Sequence, residues 1–182
     1  MKKFAYFLLS VLILIGAFYL FVPNFSSNMK LDDPNCAFCD QKILDNQMFY
    51  EDKLVMGLYT HKPITPGHAL IIPKRHVQRL EQLTDEEMVH VFNAIKKIDR
   101  AVASVFGTSS YLILQKNGIE VGQTVPHVHF HYIPRKAGDN SALTFLFQFY
   151  ISNLKSPIDS QTMKENVKKL KETIEKERTN PS

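Results

Sequence analysis

Gly122-Gln123-Thr124-Val125-Pro126-His127-Val128-His129-Phe130-His131-Tyr132-Ile133-Pro134-Arg135 places three of the chain's 7 histidines in strict alternation with apolar residues. Successive side chains of an extended strand point to opposite faces. The spacing therefore predicts a strand with His127, His129 and His131 on one face and Val128, Phe130 and Tyr132 on the other. The apolar face is suited to dock on a core. The opposite face presents imidazoles about 7 Å apart, a row able to bind a metal, attack a phosphorus atom or hold a phosphate. A strand that needed only burial has no use for that second face.

The neighbouring segments place this strand in a sheet. Ser110-Tyr111-Leu112-Ile113-Leu114 reads as the preceding strand, and a loop from Gln115 to Gly122 joins the two. Ala69-Leu70-Ile71-Ile72 is an apolar strand closed by Pro73. Met48 to Tyr59 predicts two short strands around a Glu51-Asp52-Lys53 turn. A helix then starts at the capping box of Thr84 and Glu87. It keeps Met88, Val91, Phe92, Ile95, Ile98, Val102 and Val105 on one apolar face and ends at Gly107. Strands so close in sequence, joined as hairpins, imply an antiparallel sheet with packed helices, an α+β domain. Met163, Val167, Leu170 and Ile174 form the stripe of a last helix, expected to pack on the domain or on a second subunit.

Composition narrows the function. With 45% hydrophobic and 22% charged residues the chain is of ordinary globular type. Its formal charge of +4 owes much to a C-terminal segment in which lysines alternate with glutamates. That is the pattern of a solvated helix face. With no zinc-finger spacing and no RNA-recognition aromatic motif, nucleic acid is not expected as the ligand.

The N-terminus differs from the rest. After Lys2 and Lys3, the run from Phe4 to Val22 is uncharged, with Ser10 its one strongly hydrophilic side chain. As a helix it would be about 28 Å long, close to the hydrocarbon thickness of a bilayer. Ile15-Gly16-Ala17 matches a cleavage site poorly, and the apolar run continues past it. The expectation is an uncleaved single-pass membrane anchor, with a cleaved signal peptide and secretion as the alternative. Lys2, Lys3 and the terminal amine outweigh Lys30, which Asp32 and Asp33 offset, so the flanking charges favour an exported domain. The chain thus divides into an anchor and linker (1–28), a catalytic domain (29–140) and a C-terminal extension with an amphipathic helix (141–182).

The histidine stretch with its flanks resembles the defining motif of the histidine triad (HIT) superfamily. Gly122 to Pro126 before it, Pro134-Arg135-Lys136-Ala137-Gly138-Asp139 after it and Lys62-Pro63-Ile64-Thr65-Pro66-Gly67-His68-Ala69-Leu70-Ile71-Ile72-Pro73-Lys74 upstream agree in order. The resemblance runs from about Cys36 to Asp139. It implies a nucleotide-binding α+β fold, a homodimer, and action at the α-phosphate of nucleoside polyphosphates or phosphoramidates. By motif position His129 is the nucleophile, and a neutral imidazole suits attack on phosphorus near pH 7. The intermediate would be a nucleotidyl-histidine. His131 would hold a phosphate oxygen or stabilise charge in the transition state. Gln123 and Thr124 would contact the phosphate or leaving group, and His68 would support the site or pack beside it. The rival reading is a non-catalytic membrane-anchored nucleotide-binding or scaffold protein, and a weaker one makes the three histidines a catalytic metal site.

Cys36-Ala37-Phe38-Cys39 carries a separate argument. The spacing suits a redox pair, a disulfide or half of a zinc site, and the βαβ context of a redox pair is missing. Some HIT proteins complete a zinc site from positions that here hold His76 and His127. The resemblance therefore implies a closed structural zinc on Cys36, Cys39, His76 and His127, against free thiols or a disulfide, the latter favoured in an oxidising compartment.

Two positions depart from the family pattern. Thr60-His61 stands where many relatives place an acidic or amide residue on the nucleotide ribose, and a hydroxyl cannot act there as a bidentate acceptor. Gln115-Lys116-Asn117-Gly118 stands where two amides often precede the glycine, so Lys116, or Gln115 after a one-residue shift, takes the amide's place.

Overall fold

Asp52 makes the first hairpin. Its Oδ1 accepts the backbone N–H groups of Leu54 and Val55 at 2.8 and 2.9 Å, turning β1 (Met48–Glu51) back into β2 (Val55–Tyr59). In the computed structural model, which describes Ile13 and residues 36–139 and 142–179, these strands open a five-stranded sheet. It continues with β3 (Ala69–Pro73), β4 (Ser110–Gln115) and β5 (Phe130–Arg135), in the spatial order β1-β2-β3-β5-β4. Every pairing is antiparallel, as the hairpin spacing predicts.

Among the described residues four longer α-helices accompany the sheet: α1 (Gln41–Gln47), α2 (Asp85–Phe106), α3 (Ala142–Ile151) and α4 (Ser160–Thr179). The predicted capping box starts α2: the Glu87 N–H donates to Thr84 Oγ1 at 3.2 Å and the Thr84 N–H to Glu87 Oε2 at 2.8 Å. Gly107 ends the helix in the left-handed conformation. The buried stripe of α2 is Val91, Ala94, Ile95, Ile98, Ala101 and Val102, whereas Phe92, expected on the apolar face, is 51% exposed. One residue past Val91 turns a side chain by about 100°, and Phe92 sits at the margin, its ring centroid 6.4 Å from that of Phe130. Helix α3 was not anticipated from sequence. It is apolar almost throughout and lacks the alternation of polar and apolar positions that marks an amphipathic helix.

The two faces of the sheet do different work. Val128, Phe130 and Tyr132 join Ala69 and Ile71 in the main core under α2, which also takes up Met163, Val167 and Leu170 of α4. The stripe expected of the last helix therefore packs on the domain itself. On the opposite face Leu58, Leu70 and Ile72 pack with Cys36 and Phe38, and Ile64 and Ile133 pack with Phe145 of α3.

The histidine stretch is only half a paired strand. The β3–β5 register ends at Ile71 opposite Phe130, so His131 lies in the ladder while His127 and His129 precede it. Pro73 has no N–H to extend the pairing, and the Val128 N–H bonds instead to the carbonyl of Val77 at 2.7 Å. The three histidines still share the side away from the main core.

The membrane localisation expected from sequence is corrected. Among the described residues no helix is long and apolar enough to cross a membrane. Helices α2 and α4, with 22 and 20 residues, have the length but carry charged faces, and the apolar α3 has only 10 residues. The apolar run 4–22 and the linker after it lie, apart from Ile13, outside the described residues.

Candidate active site and metal centre

Backbone carbonyls decide how the imidazoles are oriented. A carbonyl only accepts, so the ring nitrogen facing it carries the proton. His129 Nδ1 donates to the His127 carbonyl at 2.7 Å, which leaves the lone pair on Nε2. His127 is turned the other way: its Nε2 donates to the Pro73 carbonyl at 3.0 Å, freeing Nδ1. Neighbours two residues apart thus present different nitrogens.

His131 is set through His68. The N–H of Ile64 donates to His68 Nδ1 at 3.2 Å, so a neutral His68 carries its proton on Nε2. That nitrogen lies 3.0 Å from His131 Nδ1 and donates to it, which leaves the His131 proton on Nε2. Burial holds both rings neutral, pushing His68 down to about 3 and His131 to about 2, with the charges of His129, His68 and Lys116 adding to the effect at His131. Burial also lowers His129, which is 4% exposed. Gly67 delivers His68 to this place. Its φ is +89°, and a Cβ there would stand 2.6 Å from Val102 Cγ1.

The other sequence-selected residues divide. Thr60 is buried at the end of β2 and its N–H donates to the His68 carbonyl at 3.2 Å, so it borders the site through the backbone. Gln123 is buried with its amide fully engaged. Its Oε1 accepts the Gly118 N–H at 2.8 Å, and its Nε2 donates to the carbonyls of Gln78 and Val125 at 2.8 and 3.2 Å. It braces the loop before the triad. Thr124 beside it is exposed. The Gln115 amide donates to the Lys116 carbonyl at 2.8 Å, while the charge of Lys116 bears on both His129 and His131.

Two aromatic residues at this site carried no sequence signal. Phe38, between the cysteines, packs edge-on against His129 with centroids 5.1 Å apart. Phe149 of α3 lies under the Lys116 ammonium, 5.5 Å from Nζ to its centroid. Both contacts join segments far apart in the chain.

Cys36, Cys39, His76 and His127 form the second constellation. Their ligand atoms all lie within 4.8 Å of one another. Cys36 Sγ is 3.3 Å from His127 Nδ1, and Cys39 Sγ is 3.3 Å from His76 Nδ1 and 3.6 Å from His127 Nδ1. Tetrahedral zinc with bonds of about 2.3 Å to sulfur and 2.0–2.1 Å to nitrogen sets neighbouring ligand atoms roughly 3.5 Å apart. The donor set fits a metal ion. Both cysteines are free thiols, and burial together with Cys39 pushes Cys36 up to about 12, so without a cation it stays protonated. The Pro73 carbonyl fixes the His127 tautomer that a metal on Nδ1 requires.

Comparison with known proteins agrees with this geometry. The model of the HIT domain family matches residues 41–138, and the chain belongs to that family. Over 96 residues it is 45% identical to a bis(5'-nucleosyl)-tetraphosphatase (asymmetrical) of Schizosaccharomyces pombe, covering 53% of this chain and 53% of that protein. An adenosine 5'-monophosphoramidase of the same organism is 35% identical over 105 residues, 56% of this chain and 74% of the relative. The chain thus spans about half the length of the first of these. Among solved structures, a zinc-bound histidine triad family protein from Mycobacterium smegmatis superposes with a TM-score of 0.63 at 25% identity, covering 79% of this chain and 96% of that one.

Proposed function

We propose that this protein hydrolyses nucleoside polyphosphates or nucleoside phosphoramidates at the α-phosphate, with His129 as nucleophile. The orientation of His129 carries the reading. Its Nδ1–H is held by the His127 carbonyl, so Nε2 carries the lone pair and needs no separate base to expose it. The relatives named above, a tetraphosphatase and a phosphoramidase, support this class of substrate.

In the first step Nε2 bonds to the α-phosphorus while the bond to the leaving group breaks; the electron pair departs with a leaving phosphate, or with an amine that takes a proton from solvent as it leaves. His131 presents an Nε2–H that donates to a phosphate oxygen in the transition state. Water then bonds to phosphorus and gives up a proton to solvent, the phosphorus–nitrogen bond breaks, and a nucleoside monophosphate leaves with neutral His129 restored. The rings of His68 and His131 stay uncharged through the neutral pH range, so His131 acts as an oriented donor.

Cys36, Cys39, His76 and His127 would hold a zinc ion, four protein ligands with no position open for water. Bound there, the metal would supply structural cross-linking between the 36–39 turn and the start of the histidine stretch. The active unit is a homodimer joined along the β4 edge, where Tyr111 and Leu112 are exposed, as are Val89 and Phe92 of α2.

The test is direct. His129→Asn should reduce turnover of a dinucleoside tetraphosphate by at least about 10³-fold while equilibrium binding of a nucleoside monophosphate survives. A nucleotide radiolabelled at the α-phosphate should leave label on the wild-type chain after a rapid quench, and none on the variant. Undiminished turnover in His129→Asn rejects the assignment.

A further inference from the structure

Lys116 stands one residue past β4, with its carbonyl held by the Gln115 amide at 2.8 Å. Its side chain runs across the mouth of the 116–122 loop. A Cβ on Gly122 would come within 3.6 Å of Nζ, and the ammonium rests 5.5 Å above the centre of the Phe149 ring. Burial alone lowers its pKa, and no carboxylate offsets that effect. The acidic groups nearby are committed elsewhere: Glu81 binds Arg79 and the Asn117 amide, and the charge of Glu120 acts on Arg79. Among the described residues, Lys116 is the one permanent cation whose charge bears on both His129 and His131.

A half-buried ammonium without a counter-ion is costly in the free protein. The cost is recovered only when an anion arrives. The histidines around it are held neutral and bring no charge of their own to the phosphates. An amine leaving group carries no negative charge, whereas a leaving nucleoside polyphosphate carries several. We propose that Lys116 is the counter-ion for phosphates beyond the α-phosphate, and that it makes this enzyme selective for nucleoside polyphosphates over phosphoramidates. Phe149 of α3 holds the ammonium in place through its ring face. The proposal rests on the hydrolase reading above and deepens it by choosing between its two substrate classes.

The experiment compares wild type, Lys116→Gln and Lys116→Arg on a dinucleoside tetraphosphate and a nucleoside 5'-phosphoramidate. Lys116→Gln should lower the ratio of the two kcat/KM values about 10- to 100-fold, the range for one lost hydrogen bond to a charged group. Lys116→Arg should keep most of that ratio. Added salt should depress wild-type tetraphosphate turnover more steeply than that of Lys116→Gln. A ratio unchanged in Lys116→Gln overturns the proposal, whether both substrates weaken equally or neither does. Equilibrium binding in a His129→Asn background separates this from failure of the nucleophile assignment. There Lys116→Gln should weaken the tetraphosphate about 10-fold relative to a nucleoside monophosphate, a result independent of which residue attacks phosphorus. An unchanged relative affinity overturns the proposal on its own.

Discussion

At the scale of single residues, the fold fixes which nitrogen of each imidazole carries the proton. Three backbone groups do this: the His127 carbonyl for His129, the Pro73 carbonyl for His127, and the Ile64 N–H, acting through His68, for His131. In the proposed mechanism His68 is thus a positioning residue. Replacing it with phenylalanine keeps the ring volume in a buried place and removes the donor to His131 Nδ1. The His131 proton is then free to move to Nδ1, and the donor toward the phosphate is lost for part of the time. His68→Phe should lower kcat about 10- to 100-fold, the range for a partner that orients a functional imidazole, with a smaller change in KM. Nitrogen-15 spectra of the imidazoles provide the check: His131 should be protonated at Nε2 in wild type and mixed in the variant. A kcat within two-fold of wild type would show that His131 needs no such orientation.

At the scale of elements, the segment from Cys36 to Asp40 links the Cys36, Cys39, His76 and His127 cluster to the proposed nucleophile His129. Asp40 caps α1 by accepting the Lys42 N–H at 2.8 Å, and Phe38 in the turn before it packs on both His127 and His129. Losing the metal should therefore loosen this turn and, with it, the side wall of His129. Protein purified under reducing conditions without chelator should contain about one zinc per chain, and Cys36→Ser should contain almost none. The substitution should also lower the thermal midpoint by several degrees, because a metal bound only by the folded state adds its binding energy to stability. Metal-free wild-type protein with an unchanged midpoint would sink this reading. How much of the site could be read from sequence follows from the same elements. The hairpin at Asp52, the α2 capping box and the apolar positions Val128, Phe130 and Tyr132 obey local rules, so spacing alone located them. The contacts of Phe38 with His129 and of Phe149 with Lys116 are tertiary and left no periodic trace. The break at Pro73 was visible as a proline, but its effect on His127 and His129 depended on the register between β3 and β5.

At the scale of the whole molecule, the two ends of the sheet are treated differently. The β1 side is covered, because α4 packs on β1 and α2 and buries Met163, Val167 and Leu170. Leu170 is 0% exposed, so Leu170→Ala should cost about 2–5 kcal/mol in denaturant unfolding; a loss below 1 kcal/mol would mean that α4 is an appendage. On the β4 side, no described strand pairs with the outer edge. That edge offers unpaired backbone groups, and Tyr111 and Leu112 are 44% and 43% exposed. Phe92 and Val89, on the neighbouring surface of α2, are 51% and 58% exposed. A bare sheet edge beside exposed aromatic residues is a site for pairing or aggregation in a monomer. Pairing with a second copy resolves this economically: an antiparallel β4–β4 contact is symmetric about a two-fold axis, so each copy satisfies the other's edge. Sedimentation of wild-type protein at micromolar concentration should then give a dimer. Phe92→Asp places a charge in the joint at a half-exposed position that meets the main core only at its margin, through Phe130, and it should shift the protein to monomer while leaving the thermal unfolding of the monomer cooperative. A wild-type monomer at these concentrations, or a Phe92→Asp variant that sediments as wild type, would remove the β4 edge as the interface.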